Sequence, residues 1–213
     1  KVIVEVGGPT TGLVALDLHE GRTIWKSKAR NADYASCIPY QAKNCTLVLG
    51  FLRDGFVVVD AVTGQEKFFS KLRSSLNASV NAASPLVVKN QVFLSSCYGV
   101  GASLWELTSP EKSQPFPKVV LKWKMKDAMD CHYSTPVEYQ GYLYGFHGRQ
   151  ERGASLRCLN LSDGTVMWNA TSIKVGNLIR AGNKIFCLSE TGELTVLKAE
   201  SSAFQPIYRQ QIA

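Results

Sequence analysis

Asp127, Asp130, His132 and Tyr133 form the most polar constellation of the chain, just ahead of an apparent strand. Carboxylate and imidazole groups this close in sequence could bind a hard or borderline cation, and His132 could accept a proton. Asp127, Asp130 and His132 are therefore the catalytic candidates. The competing expectation is a solvated loop whose acids stabilise turns. His19 falls in a turn and His147 follows a strand, neither with a ligand partner nearby in sequence. Glu190 closes another strand, where loop amides would engage it. No nucleophile elbow, phosphate loop, zinc-protease helix or EF-hand pattern occurs.

The six cysteines, Cys37, Cys45, Cys97, Cys131, Cys158 and Cys187, are widely spaced, with no adjacent pair and no CxxC. Zinc knuckles, thioredoxin-like motifs and c-type haem attachment are not supported. Cys158 and Cys187 lie in strand-like segments and are expected as buried free thiols. One disulfide among Cys37, Cys97 and Cys131 stays open.

The elements that must position these groups are short and repeated. The chain has 213 residues, enough for a sizeable core, and carries Lys plus Arg 24 against Asp plus Glu 17, a formal +7. No basic run is long enough for a nucleic-acid arm. Lys122, Lys124 and Lys126 alternate with Leu121, Trp123 and Met125, which reads as an edge strand with one wet face. No apolar run approaches the about 20 residues of a membrane helix. Lys1-Val2-Ile3-Val4-Glu5-Val6 suits a strand and not a leader, leaving open whether a leader was removed or more chain precedes it.

One phrase returns along the chain. Leu13-Val14-Ala15-Leu16-Asp17 leads through Gly21 to Trp25; Phe56-Val57-Val58-Val59-Asp60 leads through Gly64 to Phe68; Leu156-Arg157-Cys158-Leu159-Asn160 leads through Gly164 to Trp168. A degenerate copy runs from Ala102 to Trp123 around a Pro-rich insertion at 109–117, and a partial copy starts at Gly192. Trp25, Phe68, Trp123 and Trp168 recur at intervals of 43, 55 and 45 residues. That period fits a propeller blade, and short β-branched and aromatic segments ended by Gly, Asn or Asp give four strands per unit. Asp17, Asp60 and Asn160 open the turn before the fourth strand, Gly21, Gly64 and Gly164 supply its unusual φ, and the large aromatics wedge between sheets as structural docking residues. Turns at Lys89-Asn90, Gln140-Gly141 and Ala181-Gly182-Asn183 close a first hairpin in each later unit.

The phrase Ala-Leu-Asp-x-x-x-Gly-x-x-x-Trp resembles the tryptophan-docking repeat of pyrroloquinoline-quinone (PQQ)-like β-propellers. That family includes quinoprotein alcohol dehydrogenases and the propeller lipoprotein of the outer-membrane assembly machinery. Ser79-Val80-Asn81-Ala82-Ala83-Ser84-Pro85, His132-Tyr133-Ser134-Thr135-Pro136-Val137 and Gly141-Tyr142-Leu143-Tyr144-Gly145-Phe146 extend the resemblance to bacterial PQQ-like repeat proteins. It implies an all-β fold of about five partial four-stranded blades, approximately 1–30, 31–76, 77–127, 128–172 and 173–213, in a single propeller domain. At about 45 residues a blade, the usual seven or eight blades need a longer parent, so open blade edges could self-associate. The resemblance implies a periplasmic or exported, noncatalytic scaffold that binds another protein and needs no cofactor. The alternative is an oxidoreductase for an alcohol or sugar that uses PQQ and calcium. The vicinal disulfide of alcohol-oxidising members is missing here. Tyr133, Tyr139, Tyr142, Tyr144 and Phe146 would serve a polysaccharide-binding module only where exposed.

Overall fold

The computed structural model describes residues 1–108 and 116–212. Most of the Pro-rich insertion, 109–115, lies outside them. The described strands build five antiparallel sheets, each a meander in which neighbours follow in chain order. The first has three strands, β1 (Val2–Glu5), β2 (Leu13–Leu16) and β3 (Thr23–Lys26). The second holds β4 (Ile38–Gln41), β5 (Thr46–Leu52), β6 (Gly55–Asp60) and β7 (Glu66–Lys71). The third holds β8 (Leu86–Val88), β9 (Gln91–Ser96), β10 (Gly101–Leu107) and β11 (Val119–Met125). The fourth holds β12 (Val137–Tyr139), β13 (Tyr142–His147), β14 (Ser155–Asn160) and β15 (Val166–Ala170). The fifth holds β16 (Gly176–Ala181), β17 (Lys184–Ser189), β18 (Glu193–Lys198) and β19 (Pro206–Gln211). These are partial blades of a β-propeller. The chain divides into two compact units, Lys1–Leu94 with Trp105–Lys122, and Ser95–Leu104 with Trp123–Ala213.

The recurring phrase builds the same turn three times. Asp17, Asp60 and Asn160 each accept the amide two residues on, at 2.9, 2.7 and 2.9 Å. Their own carbonyls accept the N–H of Gly21, Gly64 and Gly164, whose φ values are 69, 74 and 77°. A β-bulge precedes each turn, at Ala15/Leu16, Val58/Val59 and Cys158/Leu159, and adds twist.

Each tryptophan of the phrase reaches the following sheet. In the first unit Trp25 donates its indole N–H to the Ala61 carbonyl at 3.1 Å. It lies over Gly64, where an added Cβ would come within 2.4 Å of the ring. Leu13, Ala15, Val48, Leu52, Val57 and Val59 complete that core. In the second unit Trp123 donates to Leu161 C=O at 3.0 Å and Trp168 to Glu200 C=O at 2.9 Å. Tyr144, Phe146, Leu156, Cys158, Ile185 and Cys187 form the core beneath Trp168. Phe68 has no N–H to donate and packs against Phe56 and Trp105, ring centroids 5.9 and 5.5 Å away.

Three local expectations need correction. All six cysteines are free, so the disulfide left open among Cys37, Cys97 and Cys131 is not formed. At the β8–β9 turn the positive φ, 56°, belongs to Lys89 and not to Asn90. On β11 the face opposite the lysines is not a buried one, because Leu121 and Met125 are exposed alongside Lys122 and Lys124.

Gly21 and Gly64 separate backbone strain from packing. Nothing stands within 4 Å of a Cβ at Gly21, whereas Trp25 stands against Gly64. Gly21→Ala is expected to destabilise by about 1–2 kcal/mol through its φ alone. Gly64→Ala is expected to lose about 1–3 kcal/mol more through overpacking. Urea unfolding of the two variants checks this; equal losses would show that Trp25 yields freely.

Candidate functional site

The candidate site lies in the second unit, where residues Asp127 to Tyr133 lead into β12. This segment bends at 126–128 and 132–133 and cannot satisfy itself as a strand. Side chains supply what a ladder would have given. Ser95 of β9 donates to Met129 C=O at 2.5 Å and accepts the Cys131 N–H at 2.8 Å. The Cys97 thiol donates to Asp130 C=O at 2.9 Å, and the Gly148 N–H donates to the same oxygen at 2.9 Å. Arg157 of β14 donates to the carbonyls of Asp127, at 2.5 Å, and Ala128, at 2.9 Å. Gly145 of β13 leaves the space that Met129 fills; a Cβ there would lie 2.7 Å from its sulfur.

This anchoring separates the sequence candidates. His132 is buried and lines a cavity of about 90 Å³ together with Tyr133, Ser134, Phe146, Gln150, Val175 and residues near them. Asp127 and Asp130 are not part of that wall. Asp130 instead interacts with Asp127 and Arg157, and its Oδ1 is buried with no hydrogen-bond partner among the described residues. Both nitrogens of His132 are engaged. Nδ1 lies 2.5 Å from Gln150 Oε1, and Nε2 lies 2.7 Å from the Tyr98 hydroxyl. An amide oxygen only accepts, so Nδ1 carries hydrogen and a neutral ring takes the Tyr98 O–H at Nε2. No nitrogen is left for substrate or metal in this arrangement.

Aromatic packing fixes the ring further. Tyr133 stacks on His132 with centroids 3.9 Å apart and planes 30° apart, while Tyr98 meets it edge-on at 5.5 Å. The Arg149 guanidinium sits 4.9 Å from the Tyr98 ring centre. Tyr98 holds φ 64°, a left-handed conformation that a bulky residue adopts only when its surroundings force it. Lys89 and Gln140 hold the same conformation at their own hairpin turns, so it is the turn that imposes it on Tyr98.

The other reactive types act structurally. Burial pushes the thiols of Cys97 and Cys131 up to about 12, so neither is a thiolate nucleophile at neutral pH. His147 Nδ1 accepts the Asp130 N–H at 3.1 Å. Among the described residues no group of three or more His, Cys, Asp or Glu could hold a metal ion. Asp127, Asp130 and His132 in particular do not converge on one point as ligands of a single cation. Sequence reasoning missed Ser134, Gln150, Val175 and Asn177 as cavity residues. Ser134 alone had a signal, its place beside His132-Tyr133.

The fold is that of the PQQ-like β-propellers. No protein-family model matches the sequence, and no curated protein matches it. Solved structures do. BamB from Moraxella catarrhalis superposes with a TM-score of 0.70 at 14% identity, over 94% of this chain and 58% of that one. The quinohemoprotein alcohol dehydrogenase from Comamonas testosteroni gives 0.63 at 14% identity, over 94% of this chain and 40% of that one. The computationally designed Ika8 protein gives 0.57 at 14% identity, over 96% of this chain and 57% of that one. The chain therefore spans about half the length of these three structures, and the likeness is one of fold.

Asp130 and His147 respond to acid in opposite senses. Burial first, then the charge of Asp127, pushes Asp130 up from 3.8 to about 6, with Arg157 opposing. Burial first, then Arg157, pulls His147 down from 6.5 to about 4. Between pH 3.8 and about 6 the folded chain holds an Asp130 proton that the unfolded chain has released, so this contribution falls as pH rises. Between 6.5 and about 4 the unfolded chain binds a His147 proton that the folded chain refuses, so that contribution falls as pH drops. The two slopes oppose across their common window. Asp130→Asn is expected to lose stability on acidification more steeply than the parent, and His147→Gln less steeply. Urea midpoints from neutral pH to about 4 check this; parallel profiles for all three would refute it.

Proposed function

We propose that this chain forms part of a noncatalytic propeller scaffold of the bacterial cell envelope, exported to the periplasm, that holds another protein along an exposed blade edge. One observation carries the reading. β19 is the outer strand of the fifth sheet, so one of its backbone edges has no partner strand within that sheet.

The composition of β19 supports the same reading. Edge strands are usually blunted by charge, yet between Pro206 and Gln211 the only charged residue is Arg209. A free backbone edge with alternating apolar side chains suits an added extended strand, the backbone giving affinity and the side chains specificity. The resemblance to the outer-membrane assembly propeller supports a protein partner and an envelope location.

Photo-crosslinking in the producing bacterium tests it. A benzophenone side chain placed at Tyr208 is expected to give a discrete adduct with another protein in the periplasmic fraction. The same probe at the exposed Tyr34 is expected to give none, and Ile207→Lys is expected to remove the Tyr208 adduct. Identical patterns from both positions would reject the edge as the docking surface. Saturable, calcium-dependent binding of PQQ by the chain in calorimetry would reject the noncatalytic reading.

A further inference from the structure

The cavity beside His132 is not used by the scaffold reading, and its chemistry is specific. At about 90 Å³ it is far smaller than the about 300–1,000 Å³ that encloses a whole drug-sized ligand. It accommodates a substituent, with the rest of a ligand outside. Phe146 and Val175 supply apolar wall. Ser134 is 7% exposed, and its Oγ is buried with no hydrogen-bond partner among the described residues. A buried hydroxyl left unpaired is costly, so a turn of the Ser134 side chain about χ1 toward an occupant of the cavity breaks no bond and gains one. Gln150 spends its amide oxygen on His132, which leaves its NH₂ as a donor at the same cavity.

The surroundings narrow the ligand. Tyr133, 53% exposed, presents an aromatic plate backed by the His132 ring. Asn177 and Glu190 line the cavity and are exposed, offering hydroxyl acceptors at its rim. No Lys or Arg is among the lining residues, which disfavours phosphate and carboxylate groups. A small apolar wall beside two neutral donors matches an acetamido group, with its methyl against Phe146 and Val175 and its carbonyl accepting from Ser134 or Gln150. An aromatic plate next to an amide and a carboxylate matches a pyranose ring, apolar on its C–H face and rich in hydroxyls at its edge.

We propose that this cavity and the Tyr133 face form a binding subsite for an N-acetylated aminosugar, the acetamido group inside and the ring on Tyr133. The subsite is independent of the β19 edge and does not rest on the scaffold reading. Titration calorimetry of the full chain with the β-linked trimer of N-acetylglucosamine, and with the glucose trimer of the same linkage, tests it. The acetylated trimer is expected to bind saturably and the glucose trimer at least about tenfold more weakly. Tyr133→Ala is expected to abolish binding. Ser134→Ala is expected to weaken it about fivefold or more without lowering Tm, because the hydroxyl has no intramolecular bond to lose. Circular dichroism confirms that both variants are folded. No binding of the acetylated trimer, equal binding of both trimers, or unchanged binding by both variants would overturn the proposal. So would a response to an N-acetyl-lysine peptide with none to the sugar, which would make the cavity a peptide site.

Discussion

The fold depends on one hydrogen bond made repeatedly, from an indole N–H to a backbone carbonyl in the following sheet. Trp25 reaches Ala61, Trp123 reaches Leu161 and Trp168 reaches Glu200, at 36, 38 and 32 residues' separation. A blade sheet has two faces and cannot bury both alone. The indole covers a large apolar area but brings an N–H that must find an acceptor once buried. The acceptors at Ala61 and Leu161 each follow the Asx residue that opens a turn, Asp60 and Asn160. Gly64 and Gly164 then leave their turns bare enough for the ring of the preceding sheet, Trp25 and Trp123. The repeated phrase therefore encodes both halves of a contact between successive sheets. The first, third and fourth sheets offer a tryptophan forward, and the second and fourth receive one on their turns.

This logic explains why so much of the fold was legible. Asx, Gly and Trp act through local backbone needs, so their spacing marks the third strand, the turn and the fourth strand directly. The two-residue turn at Gln140-Gly141 was equally readable, with φ values of 50 and 83°. The site was legible only in part. His132 and Tyr133 stood out as residue types, but His132 meets Gln150 across 18 residues of chain, and Val175, Asn177 and Glu190 arrive from the next sheet. No local pattern announces such a meeting. Asp130 and His132 also misled by proximity: in a regular strand two residues apart share a face, but here the bends around them part the two side chains.

The reactive residue types of this region act mainly as hydrogen-bonding groups. Cys97 gives its proton to a carbonyl, Arg157 clamps two carbonyls, and His147 accepts an amide. Arg53 does for the carbonyls of Asn77 and Ser79 what Arg157 does for those of Asp127 and Ala128. The irregular segments leading into β8 and β12 thus meet the same shortage of backbone partners in the same way. A cluster rich in Asp, His, Cys and Arg resembles a catalytic centre in composition. Cys97, Arg157 and His147 instead bond the protein's own main chain, and His132 bonds the side chains of Gln150 and Tyr98.

What the fold leaves unconstrained is where this chain can differ from other propellers. At 14% identity to BamB, most positions are free to differ while the propeller fold is retained. The demands that remain sit on strand interiors, bulges and turns. The segment ahead of β12 meets none of them, yet it is held from Ser95, Cys97 and Arg157 and set over a strained Tyr98. Strain of this kind persists only when the surroundings impose it. Lys89 and Gln140 take the same conformation at the other hairpin turns, so the turn itself sets the backbone of Tyr98. What the tyrosine adds there is a hydroxyl on His132 Nε2, which fixes the imidazole face on which Tyr133 lies at the mouth of the cavity.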